Sequence, residues 1–149
     1  MKKIFLFLLL AISANGFSQI MNPVKWTTAV KKISATEYEL IASATISGNW
    51  HLYSQNVPKG GPSPTTFTFE SNANYLKKGN TNEGAGHTVN DPVFKMKITF
   101  FEGKAVFKQR IKLKKPNSKF KVNAVVEYMT CNDSQCLPPK EVDLVFDIK

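Results

Sequence analysis

The residues best able to do chemistry in this chain of 149 residues are its two cysteines. Cys131 and Cys136 lie in the stretch EYMTCNDSQCLPPKEV, with four residues between them. If the strand ending at Tyr128 to Thr130 turns back through NDSQ and returns through LPPKEVDLVFDI, the pair face each other across a hairpin, where bridging Cα separations of about 5.5 Å are natural. A disulfide there would do little as a staple. The chain-entropy relation gives about 2 kcal/mol for a loop of roughly six residues, against about 4.7 kcal/mol for one of roughly a hundred. Structural, redox and metal-binding roles all stay open on this spacing.

Redox work needs a thiolate, which reactive cysteine pairs favour with a helix N-terminus or an adjacent cation. This segment supplies neither: Asp133 lies inside the turn, and Lys140 follows only after Pro138 and Pro139. The pair is therefore expected to exchange when a partner brings a better nucleophile or a more reactive disulfide, as a relay does. For a metal, structural zinc takes four ligands, typically from two paired clusters, and the two histidines, His51 and His87, stand in unrelated segments. No metal or cofactor is expected, a soft copper(I) site from Cys131, Cys136 and Met129 being the lesser alternative.

The elements that must position these sulfurs are strands, because apolar residues recur at every second position. Phe94, Met96, Ile98 and Phe100 alternate with Lys95, Lys97 and Thr99. Phe120, Val122, Ala124, Val126 and Tyr128 form a second run, and Val142, Leu144, Phe146 and Ile148 a third. Earlier, Val24, Trp26 and Val30 share one parity, and Tyr38, Leu40, Ala42, Ala44 and Ile46 make a longer series. Turn residues separate the runs at Ser47 to Asn49, Pro58 to Pro64, Glu102 to Lys104 and Lys114 to Lys119. About eight short strands so punctuated predict a single all-β domain, an immunoglobulin-like antiparallel β-sandwich. The segment from Lys77 to Pro92 has no periodicity and reads as a long surface loop or a lid.

The N-terminus, MKKIFLFLLLAISANGFSQ, has the form of a secretory signal peptide over residues 1–18, leaving residues 19–149 as the mature domain. Its apolar run, Ile4 to Ile12, is far shorter than the roughly 20 residues needed to span a bilayer, so the mature chain is expected to be exported and to lie outside the membrane. The formal charge is +9, of which Lys2 and Lys3 belong to the leader, leaving +7 scattered over strands and turns. That scatter suits solvated strand faces, and a nucleic-acid partner would need a concentrated basic patch with interleaved aromatics.

With these elements placed, the cysteine segment resembles the N-terminal periplasmic domain of DsbD, the bacterial thiol:disulfide interchange protein. The resemblance rests on Tyr128-X-X-Cys131, the short polar turn, and Cys136 followed by Leu137, Pro138 and Pro139. It extends to GNWHLYSQ at Gly48 to Gln55, similar to the family's aromatic strand, and to GGPSPTTF after it. It implies an immunoglobulin-like sandwich whose cysteine pair is reduced by a membrane-embedded thiol reductant. That pair in turn reduces thioredoxin-like periplasmic proteins of the disulfide isomerase or cytochrome c maturation type.

By position, the resemblance makes Cys136 the sulfur that forms the mixed disulfide, with Cys131 resolving it. It also implies a cap loop around Asp91 to Phe94 with Phe94 as the covering ring, and Tyr53 and Tyr128 either lining the site or filling the core. Many family members have one more residue between the cysteines. The chain here closes at Lys149, so the reductant is expected to be a separate molecule. The competing expectation is a secreted sandwich that binds a ligand and carries an inert structural disulfide.

Overall fold

The alternations in the sequence become strands with one buried side. Tyr38, Leu40, Ala42, Ala44 and Ile46 bury every second side chain of β2 (Glu37–Ile46), and Ala105, Phe107, Ile111 and Leu113 do the same for β8 (Lys104–Leu113). The computed structural model describes residues 21–92 and 94–149, and the leader expected over residues 1–18 lies outside them. Among the described residues there are ten strands and no helix. The others are β1 (Val24–Lys32), β3 (His51–Tyr53), β4 (Thr66–Phe69), β5 (Tyr75–Glu83), β6 (His87–Asp91), β7 (Met96–Phe101), β9 (Phe120–Cys131) and β10 (Cys136–Ile148).

Two antiparallel sheets face each other as an immunoglobulin-like sandwich. One runs β1-β2-β8-β5; the other runs β10-β9-β3-β7-β6, with β4 also paired to β9. Strand β9 organises the second sheet. One of its sides pairs with β10, and the other pairs first with β4, at Ala124 to Glu127, and then with β3, at Thr130 and Cys131. Val122, Ala124, Val126 and Tyr128 turn into the sandwich, so the period of two sends Met129 and Cys131 to the outer face. In the interior, Phe107 is ringed by aromatic partners, with centroids 5.0 Å from Phe67 and 5.7 Å from both Trp26 and Phe101.

The fold departs from the sequence expectation between Lys77 and Pro92. Most of that segment is strand, in β5 and β6, and no long structureless loop is present there. β5 is an edge strand whose side chains are mostly exposed, so burial imposes no alternation on it. What holds it is polar: the Gln109 side-chain amide donates to the carbonyls of Lys78 (3.1 Å) and Gly79 (3.3 Å), and the Thr81 hydroxyl donates to Gln109 Oε1 (3.0 Å). These bonds span a register shift between Lys78 and Asn82, with Gly79 at a φ of 67°. A second departure is Phe94. The alternation predicts it as the first residue of a strand, but β7 begins at Met96 and Phe94 lies in the preceding turn, next to Lys95 at a φ of 54°.

Candidate functional site

Cys131 ends β9, Cys136 begins β10, and the two are direct partners in the register. Asn132 closes the connection between them. Its N–H donates to the Gln135 carbonyl, and its Oδ1 accepts from the N–H groups of Ser134 and Gln135, all at 2.9 Å. Because Asn132 and Gln135 are hydrogen-bonded to each other, the next pair outward is of the non-hydrogen-bonded kind, in which side chains come closest. The Cα atoms of Cys131 and Cys136 are 4.0 Å apart and their sulfurs are bonded. The polar turn therefore sets the close cross-strand spacing at which the two sulfurs are bonded.

The two cysteines have unlike surroundings. Cys131 is 4% exposed, whereas Cys136 is exposed. Cys131 is buried on the outer face of the sheet because a small apolar cluster covers it there. Tyr53 and Ile98 bury with it, and Val57, Phe94, Met96, Phe100 and Met129 pack against them.

Two connections bring this cover. The segment from Ser54 to Thr65 leaves β3 and returns to it: the Thr65 N–H donates to the Ser54 carbonyl (3.2 Å) and the Thr65 hydroxyl to the Tyr53 carbonyl. Glu83, at the end of β5, pins it by accepting from the Ser54 hydroxyl and from the Gln55 N–H (2.8 Å). At Gly61 a Cβ would come within 2.8 Å of Val57 and 3.3 Å of the Met96 sulfur, so only glycine lets this segment seat so closely. The other connection is the turn before β7, where Asp91 Oδ1 accepts from the Phe94 N–H at 2.9 Å. Burial pushes the Tyr53 phenol up, and the Asp91 carboxylate adds to the effect, so this hydroxyl is neutral at neutral pH.

On the opposite flank of Cys131 stands His51, its partner in the pairing of β3 with β9. The register of β3 with β7 pairs Leu52 with Phe101 and Tyr53 with Phe100, and one more step places Glu102 beside His51. His51 Nε2 and Glu102 Oε1 are 2.8 Å apart, and the imidazole stacks on Phe100 at 4.2 Å between ring centroids. Residues directly opposite across antiparallel strands share a face. Glu102, His51, Cys131 and Cys136 thus form one lateral row across the outer face of the sheet.

The family model described as thiol:disulfide interchange protein DsbD, N-terminal, matches residues 20–147. The chain belongs to this family. Among solved structures, the DsbD N-terminal domain of Neisseria meningitidis in the reduced form is 16% identical, with 83% of each chain covered and a TM-score of 0.49. The N-terminal periplasmic domain of ScsB from Proteus mirabilis is also 16% identical, with a TM-score of 0.56 over 84% of this chain and 45% of that one. The ScsB likeness is one of fold. The GAE domain of GGA2p from Saccharomyces cerevisiae is 13% identical, with 87% and 93% covered and a TM-score of 0.47. Comparison with curated proteins finds no match.

In this member of the family the structure sorts the residues singled out from sequence into two groups. Cys131, Tyr53 and Phe94 meet in the outer cluster, with Cys136 at its exposed margin. Tyr128 faces the sandwich interior, where its ring lies 5.6 Å from that of Trp26 and burial pushes its phenol up. Together with Thr130, Leu137, Pro138 and Pro139 it lines a groove of about 280 Å³. The two prolines are tolerated because β10 is an edge strand that is irregular between Leu137 and Lys140, so their missing N–H groups leave no ladder bond unmade. His51 was not singled out from sequence as a site residue. A signal was present: His51 lies two positions before Tyr53, and in a strand that puts both on the same face.

Proposed function

We propose that the protein is a periplasmic thiol-disulfide relay, passing reducing equivalents through Cys131 and Cys136 from a membrane-embedded thiol reductant to thioredoxin-like partners. The observation that carries this reading is the asymmetry of the bridge: one cysteine is exposed and the other is buried beneath Tyr53, Ile98 and their neighbours. Exchange proceeds by attack of a thiolate in line with the S–S bond, so access decides which sulfur a partner reaches. Cys136 is accessible and forms the mixed disulfide; Cys131 waits behind it and closes the internal bridge. Family membership supports the same chemistry, and residues 1–18 in the form of a signal peptide support the location.

The reduction potential tests this reading. Equilibration of the purified protein with glutathione or dithiothreitol should place the couple in the range of relay dithiols, roughly −270 to −120 mV. A value below about −300 mV would mark an inert structural bond and leave a binding module as the better account.

Phe94 is assigned the cap. Its part-buried ring packs on the cluster that holds Cys131, so its loss should bare the sulfurs. Phe94→Ala is expected to raise the rate at which iodoacetamide alkylates the reduced thiols by about tenfold, the equivalent of about 1.4 kcal/mol of cover. An unchanged rate would make Phe94 a packing residue only.

A further inference from the structure

The row Glu102, His51, Cys131, Cys136 places an acid–base group beside the sulfur that a relay most needs to activate. Cys131 is buried among apolar side chains, and such surroundings disfavour a thiolate. Yet it is Cys131 that must become a thiolate to resolve a mixed disulfide at Cys136. Cross-strand partners have Cβ atoms about 4.5–5.5 Å apart, and across β3 and β9 the partner of Cys131 is His51. His51 is oriented from its other side. Glu102 engages Nε2 at 2.8 Å and the Phe100 ring stacks at 4.2 Å with an interplanar angle of 20°. A carboxylate accepting from Nε2–H leaves the lone pair on Nδ1, and it stabilises the imidazolium once a proton arrives. Its side chain is 21% exposed, so the imidazole is partly sheltered by the face that shelters Cys131.

We propose that His51, positioned by Glu102, takes the proton of the Cys131 thiol during resolution of the mixed disulfide at Cys136. The inference rests on the relay reading above. In the first step the Cys136 thiolate attacks one sulfur of the partner disulfide; that S–S bond breaks, a Cys136–partner bond forms, and the second partner sulfur leaves as a thiolate. In the next step the Cys131 proton passes to His51 and the Cys131 thiolate attacks Cys136 Sγ. The Cys131–Cys136 bond forms as the Cys136–partner bond breaks, and the departing partner sulfur carries the electron pair away. His51 then returns its proton to that thiolate through solvent. Two electrons move from the cysteine pair to the partner, which is reduced to a dithiol.

Other ionisable groups share this face. His87 on β6 lies 6.2 Å from the same Phe100 ring, and Asp91 acts on Tyr53. Each belongs to β6, three strands from Cys131 in the sheet order, which makes His87→Gln a control.

The test mixes reduced protein with excess glutathione disulfide, quenches with acid at intervals, and follows by mass the Cys136–glutathione adduct and its conversion to the internal disulfide. With His51→Ala, adduct formation should keep the wild-type rate, whereas closure at pH 7 should slow about 10- to 100-fold, at or below the range of general-base effects. Free imidazole should restore much of it. The two proteins should converge only as the pH rises beyond the ordinary thiol value of about 8.5, because burial raises the pH at which Cys131 ionises unaided. Glu102→Gln should slow closure by less, and His87→Gln should match the wild type. Closure by His51→Ala at the wild-type rate across pH, or a slow closure that imidazole fails to rescue, would overturn the role of His51 while leaving the relay intact. A wild type that forms no adduct would remove the relay and this inference with it.

Discussion

Cys136→Ser is expected to reduce exchange with a thioredoxin-like disulfide to background, and Cys131→Ser to leave the same partner trapped on Cys136. The different outcomes follow from the burial of the two positions. Cys136 is at the surface and Cys131 is 4% exposed, so a partner sulfur can be approached in line only from Cys136. Without Cys136 the remaining thiol is covered by Tyr53, Ile98 and the side chains around them, and no mixed disulfide should form. Without Cys131 the adduct forms and nothing within the chain can displace it. Non-reducing electrophoresis with a thioredoxin-fold protein separates these cases. A trapped complex with Cys136→Ser and none with Cys131→Ser would reverse the assignment, and exchange at the wild-type rate by both would end it.

Phe107→Ala is expected to lower the unfolding free energy by about 3–5 kcal/mol, the usual loss for removing a large buried aromatic. Phe107 is 1% exposed and touches both sheets, with Trp26 from β1 on one side and Phe67 from β4 on the other. Opening the disulfide should cost far less, about 2 kcal/mol, because it closes so short a loop. Urea denaturation of the wild type with and without dithiothreitol, beside that of Phe107→Ala, compares the two directly. Reduction that destabilises more than Phe107→Ala would make the bridge a structural necessity, and a sulfur pair that the fold cannot release would be unfit to cycle.

Much of this arrangement was legible because it is local. Alternation in Tyr38 to Ile46, Phe120 to Tyr128 and Val142 to Ile148 has one physical cause, the burial of a single strand face, and all three runs are strands with that face inward. The hairpin that joins the cysteines is local too: an Asn at the turn and a sulfur on either side suffice to define it. Where burial does not act on side chains, the pattern disappears. β5 lies at a sheet edge and is held through Gln109, a residue about thirty positions away whose polar side chain is 1% exposed, so the stretch from Lys77 read as loop.

From the sequence alone came the all-β class, the cysteine pair as the chemical centre and the likeness to DsbD N-terminal domains, since each depends on residue type and short spacing. Only the tertiary structure decided which cysteine is covered, which aromatics do the covering, and that Tyr128 faces the interior while Tyr53 and Phe94 meet Cys131. It alone put His51 beside Cys131, eighty positions away in sequence. Lateral neighbours in a sheet are set by strand order and register, and these are properties of the whole folded chain that no single strand contains.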